Sequence, residues 1–230
     1  MRDVFTSEEN LKMKAVILLS GGLDSAVTLF HAVKKGYDCH CLTFDYGQRH
    51  KLEIKRARRI AREAGAKFKL LKIKLPWKGS SLIDNNLQLP VGRKPEDIKR
   101  LRVPSTYVPA RNTIFLSYAA SFAEAIGAGA IFIGAHYEDS SGYPDCRKDY
   151  LEAFRKALAL GTKAGLEDNL DLFFPLIDKS KKDIIKLGKE MAVPLDLTWS
   201  CYSGGTEPCG VCDSCVLRTK GFKEAAYDHS

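Results

Sequence analysis

Residues 15–36 write a strand, a glycine turn and a helix one after another, and no other stretch limits the fold as tightly. Residues 15–19 are a continuous apolar run, which suits a strand buried on both faces. Ser20-Gly21-Gly22-Leu23-Asp24-Ser25 follows as a tight polar turn. Ala26, Val27, Phe30 and Val33 then recur at helical spacing, with Gly36 where a helix C-cap belongs. Two adjacent glycines let backbone N–H groups converge on an anion, and a helix N-terminus behind them adds partial positive charge. Ser20 and Ser25 can donate hydroxyl hydrogen bonds to the same phosphates, and Asp24 can hold a magnesium ion beside them. The turn contains no lysine and no G-x-x-x-x-G-K-[ST], which excludes a Walker-type loop. It also lacks G-x-G-x-x-G, which argues against a dinucleotide site.

Downstream, the pattern repeats. Residues 39–44 read as a second strand, with Asp45-Tyr46-Gly47-Gln48 at its carboxyl end, where open α/β sheets place ligands. Residues 51–64 form a basic amphipathic helix with Ile54, Ala57, Ile60, Ala61 and Ala64 inward, and residues 68–73 are a third strand. This alternation predicts an α/β fold built on a doubly wound parallel sheet. Residues 76–111 interrupt it with Pro76, Pro90, Pro95, Pro104 and Pro109, a long excursion of the kind that carries function. Residues 114–126 are apolar nearly all round, which predicts a buried helix closed by Gly127. A strand at 130–135, a helix at 150–160 and a short strand at 172–176 follow. Ser180-Lys181-Lys182-Asp183 reads as a capping box opening a helix over 183–191. The organisation predicted is an extension at 1–12, an α/β domain carrying the phosphate-binding turn at 13–195 and a metal-binding segment at 196–230.

Seven cysteines are unevenly placed: Cys39, Cys41 and Cys146 are scattered, while Cys201, Cys209, Cys212 and Cys215 lie within fifteen residues. Four thiolates with two C-x-x-C spacings suit a closed tetrahedral structural zinc, and Gly210 supports the turn between them. An iron–sulfur cluster accepts similar ligands. The net charge of +8 is concentrated in residues 49–74 and 93–111, which fits either a solvated basic helix face or attraction of ATP or RNA. No run reaches the ~18 apolar residues of a membrane span. The polar residues 1–12 are not a secretory signal, so a cytoplasmic protein is expected.

The stretch Ser20-Gly21-Gly22-Leu23-Asp24-Ser25 resembles the signature of the PP-loop ATP pyrophosphatase superfamily, which splits ATP between its α- and β-phosphates. A narrower resemblance rests on residues 44–48, Tyr107-Val108-Pro109-Ala110-Arg111-Asn112, Ser141-Gly142-Tyr143-Pro144-Asp145-Cys146-Arg147, residues 198–202 and Leu217-Arg218. In this order they are similar to the family of 7-cyano-7-deazaguanine synthases, of queuosine and archaeosine biosynthesis. The resemblance implies an adenine nucleotide alpha hydrolase-like fold and an ATP-dependent carbon–nitrogen ligase. It places ATP on Leu19, Ser20, Gly21, Gly22, Leu23, Asp24, Ser25, Ala26, Val27, Thr28 and Leu29, with Mg²⁺ beside it and Zn²⁺ on the four cysteines. Ser20, Asp24, Ser25, Arg111 and Lys181 are the implied catalytic set, Arg111 and Lys181 as further phosphate contacts. For 7-carboxy-7-deazaguanine, Asp145 would read the base, Tyr143 or Tyr46 would stack on it, and Gln48 would complete the pocket. Arg147 would meet the substrate carboxylate or a phosphate. His136 stands as an acid–base group or as a hydrogen-bonded strand-end residue, and Asp45 as a ribose contact. Ammonia is the second substrate, a homodimer is expected, and no membrane or direct nucleic-acid contact is. Two departures are a shorter first cysteine gap than in some members and Ala110 where many have glycine. The competing readings are a thiolation-type tRNA-modifying enzyme using Cys146 and a zinc-ribbon nucleic-acid binder, which leaves residues 20–25 unexplained.

Overall fold

A computed structural model describes residues 12–99, 103–136 and 142–226. Ser141 of the expected substrate motif and residues 1–11 of the expected extension lie outside the described residues. The strands β1 (Lys14–Leu18), β2 (Asp38–Asp45), β3 (Lys67–Lys72), β4 (Ala130–Phe132) and β5 (Asp171–Phe173) form one sheet in the order β3-β2-β1-β4-β5. Every pairing is parallel, with Ala15 of β1 opposite both Cys39 of β2 and Ala130 of β4. The strand order reverses at β1, so the crevice beyond the carboxyl ends of β1 and β4 is the switch point where such sheets hold ligands.

The helices are α1 (Leu23–Lys34), α2 (Leu52–Glu63), α3 (Pro95–Lys99), α4 (Arg111–Ile126), α5 (Lys148–Gly161), α6 (Lys163–Leu166), α7 (Lys181–Glu190) and α8 (Asp213–Glu224). Residues on α1, α2, α7 and α8 share one core with Ala15 and Ile17 of β1, through Leu29, Ile60, Ile184 and Phe222. Val16 and Leu18 of β1 point the other way, into a second core with Leu116 of α4 and Leu151 of α5. Burial on both faces is why β1 is an unbroken apolar run instead of an alternating one. The edge strand β3 carries Lys67, Lys69 and Lys72, charges that discourage pairing with another chain.

Local signals set the helix ends. Ser180 Oγ accepts from Asp183 N and Asp183 Oδ2 accepts from Ser180 N, each at 3.2 Å, so the capping box forms and α7 begins at Lys181. Gly127 closes α4 in the left-handed conformation. That helix differs from expectation in its burial. Leu116, Ala119, Ala120 and Ala123 face the core, while Ser117 and Ser121 are exposed and Tyr118 is 44% exposed. Small residues bring one face close to the sheet and leave the other to solvent. The described residues of 73–110 carry only the short α3, turns and an isolated bridge, and they dock on the cysteine segment. Val91 bridges Cys212, Gly92 N donates to Val211 O at 2.9 Å, and Arg93 pairs with both oxygens of Asp213.

Candidate active site

The turn after β1 is pressed against α2. Gly21 has φ +89°, and a Cβ there would lie 2.3 Å from Glu53 O and 2.9 Å from Ala57 N, so only glycine fits on both counts. Its carbonyl accepts from Trp199 N at 2.8 Å, which ties the C-terminal segment to the turn. The two serines meet inside it: Ser20 Oγ and Ser25 Oγ are 3.0 Å apart, Gly22 N donates to Ser20 Oγ at 3.1 Å, and Ser25 Oγ donates to Gly22 O at 3.0 Å. Gly22 caps α1 with no side-chain bond, leaving the first N–H groups of the helix for an anion. Across the switch point, a Cβ at Gly134 would meet Asp24 and Ser25 backbone atoms at 3.0 Å, so the segment after β4 also needs a glycine there.

Lys181, at the start of α7, reaches across to the turn. Its Nζ donates to both Asp24 oxygens, at 2.8 and 2.9 Å, and lies 2.9 Å from His136 Nε2. Burial works to raise the Asp24 carboxyl, but Lys181 and His136 outweigh it and hold it below the ordinary value. The lysine stem lies on Gly221 of α8, where a Cβ would meet Lys181 Cγ at 2.5 Å. Nearby, Arg218 donates to Thr198 Oγ1 at 2.8 Å, Ser200 Oγ at 3.3 Å and Leu195 O at 3.1 Å. Burial lowers its pKa, with the Asp24 charge opposing the shift, so the two groups share one field.

A cavity of about 290 Å³ opens over these groups, lined by Leu19, Ser20, Gly22, Leu23, Asp24, Ser25, His136, Lys181 and Arg218 on one side. Phe44, Tyr46, Arg111, Phe115, Tyr143 and Cys146 line it as well. Phe44 and Phe115 stack at 4.0 Å, and Arg111 Nη1 donates to Tyr46 Oη at 3.3 Å. Burial pushes the Tyr46 hydroxyl up to about 12, so it stays a neutral phenol. Arg111 opens α4 directly after Ala110, whose φ of 51° is the left-handed conformation that glycine adopts without strain. Tyr143 Oη bonds Thr106 Oγ1 at 2.7 Å.

Other expected site residues stand elsewhere. The Gln48 amide is buried and spans Phe44 O, Tyr46 N and Glu53 Oε1 at 2.9–3.0 Å, bracing the loop that carries Tyr46. Asp145 accepts from Asn112 N at 2.8 Å and so anchors the first turn of α4. Arg147 is exposed and pairs with Asp149 at 2.6 Å. None of these three lines the cavity, and neither do Gly21, Ala26, Val27, Thr28 and Leu29. Asp45 contacts Gly47 N and Lys51 and is also absent from the lining. Cavity residues without an assigned role in the sequence reading include His50, Glu53, Gly134, Trp199, Asp213 and Arg218. The two motifs around Trp199 and Arg218 were visible, but no local signal says that they fold back over the turn.

The thiols of Cys201, Cys209, Cys212 and Cys215 lie within 4.8 Å of one another. A tetrahedron with Zn–S bonds of ~2.3 Å needs sulfurs ~3.8 Å apart, so the set fits that ion with a small contraction. Backbone donors already point at the sulfurs: Cys209 N to Cys201 Sγ at 3.3 Å and Cys212 N to Cys209 Sγ at 3.4 Å. Cys212 caps α8, so the cluster fixes the helix that supplies Asp213, Ser214, Leu217 and Arg218 to the cavity wall. Magnesium fits less simply, because both Asp24 oxygens are engaged by Lys181.

The family model described as "Queuosine biosynthesis protein QueC" matches residues 14–226. A 7-cyano-7-deazaguanine synthase of Thermoplasma volcanium is 49% identical over 216 residues, 93% of this chain and 88% of the relative. One from Nostoc punctiforme is 50% identical over 215 residues, 92% of this chain and 96% of the relative. The structure of NMN synthetase from Francisella tularensis superposes with a TM-score of 0.50 at 15% identity, over 96% of this chain and 80% of that one. That likeness concerns the fold alone.

Proposed function

The chain belongs to the QueC family of queuosine biosynthesis proteins, and from this premise we propose that its cavity converts 7-carboxy-7-deazaguanine and ammonia to 7-cyano-7-deazaguanine at the expense of ATP. The observation that carries the reading is one cavity that joins an anion-binding glycine turn to a wall of flat aromatic side chains. The carboxylate attacks the α-phosphorus, forming an acyl adenylate and releasing pyrophosphate. Ammonia displaces AMP to give the amide. The amide oxygen is activated in the same way, and loss of AMP and a proton leaves the nitrile.

In this reading the backbone of residues 20–25 and the α1 N-terminus hold the triphosphate, and Lys181 and Arg218 neutralise charge that builds on the leaving pyrophosphate. Magnesium bound to the nucleotide would add positive charge at the phosphates, with Asp24 the carboxylate of the turn nearest to hand. The aromatic wall orients the deazaguanine ring so that its carboxylate meets the α-phosphorus in line. Cys201, Cys209, Cys212 and Cys215 would hold a zinc that keeps the C-terminal segment closed over the site and takes no part in bond making. The product feeds queuosine or archaeosine formation in the cytoplasm, ammonia arrives free or from a partner, and the protein works as a homodimer. The test is mass spectrometry of a reaction with ATP, magnesium, ammonium and the acid. Nitrile together with AMP supports the reading. AMP without nitrile moves the acceptor elsewhere, with tRNA the next substrate to try.

A further inference from the structure

We propose that Arg111 binds the carboxylate of the substrate acid, not the nucleotide, and that it thereby distinguishes the acid from the amide that follows it. The proposal rests on the cavity reading above. Arg111 lines the cavity, yet its one hydrogen bond among the described residues goes to the neutral Tyr46 hydroxyl, at 3.3 Å. A guanidinium carries five N–H donors, so most of its capacity faces the cavity without an acceptor. No carboxylate of the described residues forms an ion pair with it. A cation held in that state is a site for an anion that comes with a ligand.

Two anions must enter, and three cations line the cavity, Lys181, Arg218 and Arg111. Lys181 bonds Asp24, and Arg218 lies in the field of Asp24, so both belong to the glycine turn. Arg111 has a different set of partners, namely Tyr46, Cys146 and Asp145. The turn already has its own cations for the phosphates. Arg111 instead stands beside Tyr46 and Phe115, on the wall suited to a flat ring. A carboxylate conjugated to such a ring lies in the ring plane and presents two oxygens edge-on, which a planar guanidinium fork matches bidentately. The amide has lost the charge and one of the two acceptors, so it gains far less from the same fork.

The experiment compares wild type, Arg111→Met and Arg111→Lys, all zinc-loaded, on the acid and separately on the amide, with ATP varied in both. Arg111→Met should raise KM for the acid roughly 10- to 100-fold, the size expected when a charge-assisted hydrogen-bonded pair is removed. KM for the amide should rise by no more than about threefold, as should KM for ATP, since neither loses a charged partner. Arg111→Lys, which keeps the charge without the fork, should recover part of the acid affinity. It decides by the same acid-to-amide ratio if the methionine variant does not fold. Equal rises for acid and amide, or a rise confined to ATP, would overturn the proposal and leave the reaction assignment standing. Failure of wild type to convert either compound would overturn both.

Discussion

Two glycines with the same backbone angle and different surroundings test how the nucleotide turn is held. Gly21 and Gly36 both have φ +89°, but a Cβ at Gly36 meets nothing within 4 Å, while one at Gly21 lies 2.3 Å from Glu53 O. Alanine in the left-handed region costs ~1–2 kcal/mol at either position. At Gly21 the methyl must also displace the backbone of α2 by about 1 Å, and overpacking of a rigid site adds ~1–3 kcal/mol. The expected losses are therefore ~1–2 kcal/mol for Gly36→Ala and ~2–5 kcal/mol for Gly21→Ala. For a chain of this size each kcal/mol moves the melting point by ~2–4 °C, which predicts a drop of ~2–8 °C against ~4–20 °C. Circular dichroism melts of both variants measure this, with urea titration to check that the slope is unchanged. ATP consumption should survive in Gly36→Ala and collapse in Gly21→Ala. Equal melting points for the two variants would refute the close approach of the turn to α2, and with it the account of why this turn needs its first glycine.

Asp24→Asn should lower ATP consumption by ~100-fold or more while the fold is retained, read by pyrophosphate release; normal turnover would remove Asp24 from the mechanism. Because Asp24 sits below the ordinary carboxyl value of 3.8, its charge contributes stability that is complete above that pH and is lost as pH falls through the lower folded value. The stability difference between wild type and Asp24→Asn should be level from neutral pH down to about pH 5 and shrink below it, as followed by urea unfolding. Cys212→Ser should abolish metal binding, and metal analysis of wild type should find one zinc per chain; iron, or folded protein without metal, would contradict the assignment. Gly221→Ala should push the Lys181 stem away from Asp24 and reduce kcat/KM for ATP by ~10-fold with zinc content intact. An unchanged rate would show that Lys181 does not depend on that contact.

The elements that the sequence determined by itself are those whose physics is local. The apolar run before Ser20, the glycine pair behind it and the helical spacing from Ala26 set β1, the turn and α1 without reference to distant residues. Repetition of that unit leaves a parallel sheet as the way to bury strands on both faces. The Ser180 capping box and the two C-x-x-C pairs over 209–215 are equally local, because each brings its partners together within one turn of chain. Only the tertiary structure decided which side chains share the cavity. Lys181 meets Asp24 across 157 positions of sequence, and Arg93 meets Asp213 across 120. Gln48 and Asp145 spend their polar groups on backbone donors and acceptors that appear only when their loops are folded. The exposed flank of α4 follows the same logic, since composition records how apolar a helix is and only packing chooses which of its faces is covered. Long-range contacts are set by where the sheet carries each loop, and a linear pattern holds the loops but not their destinations.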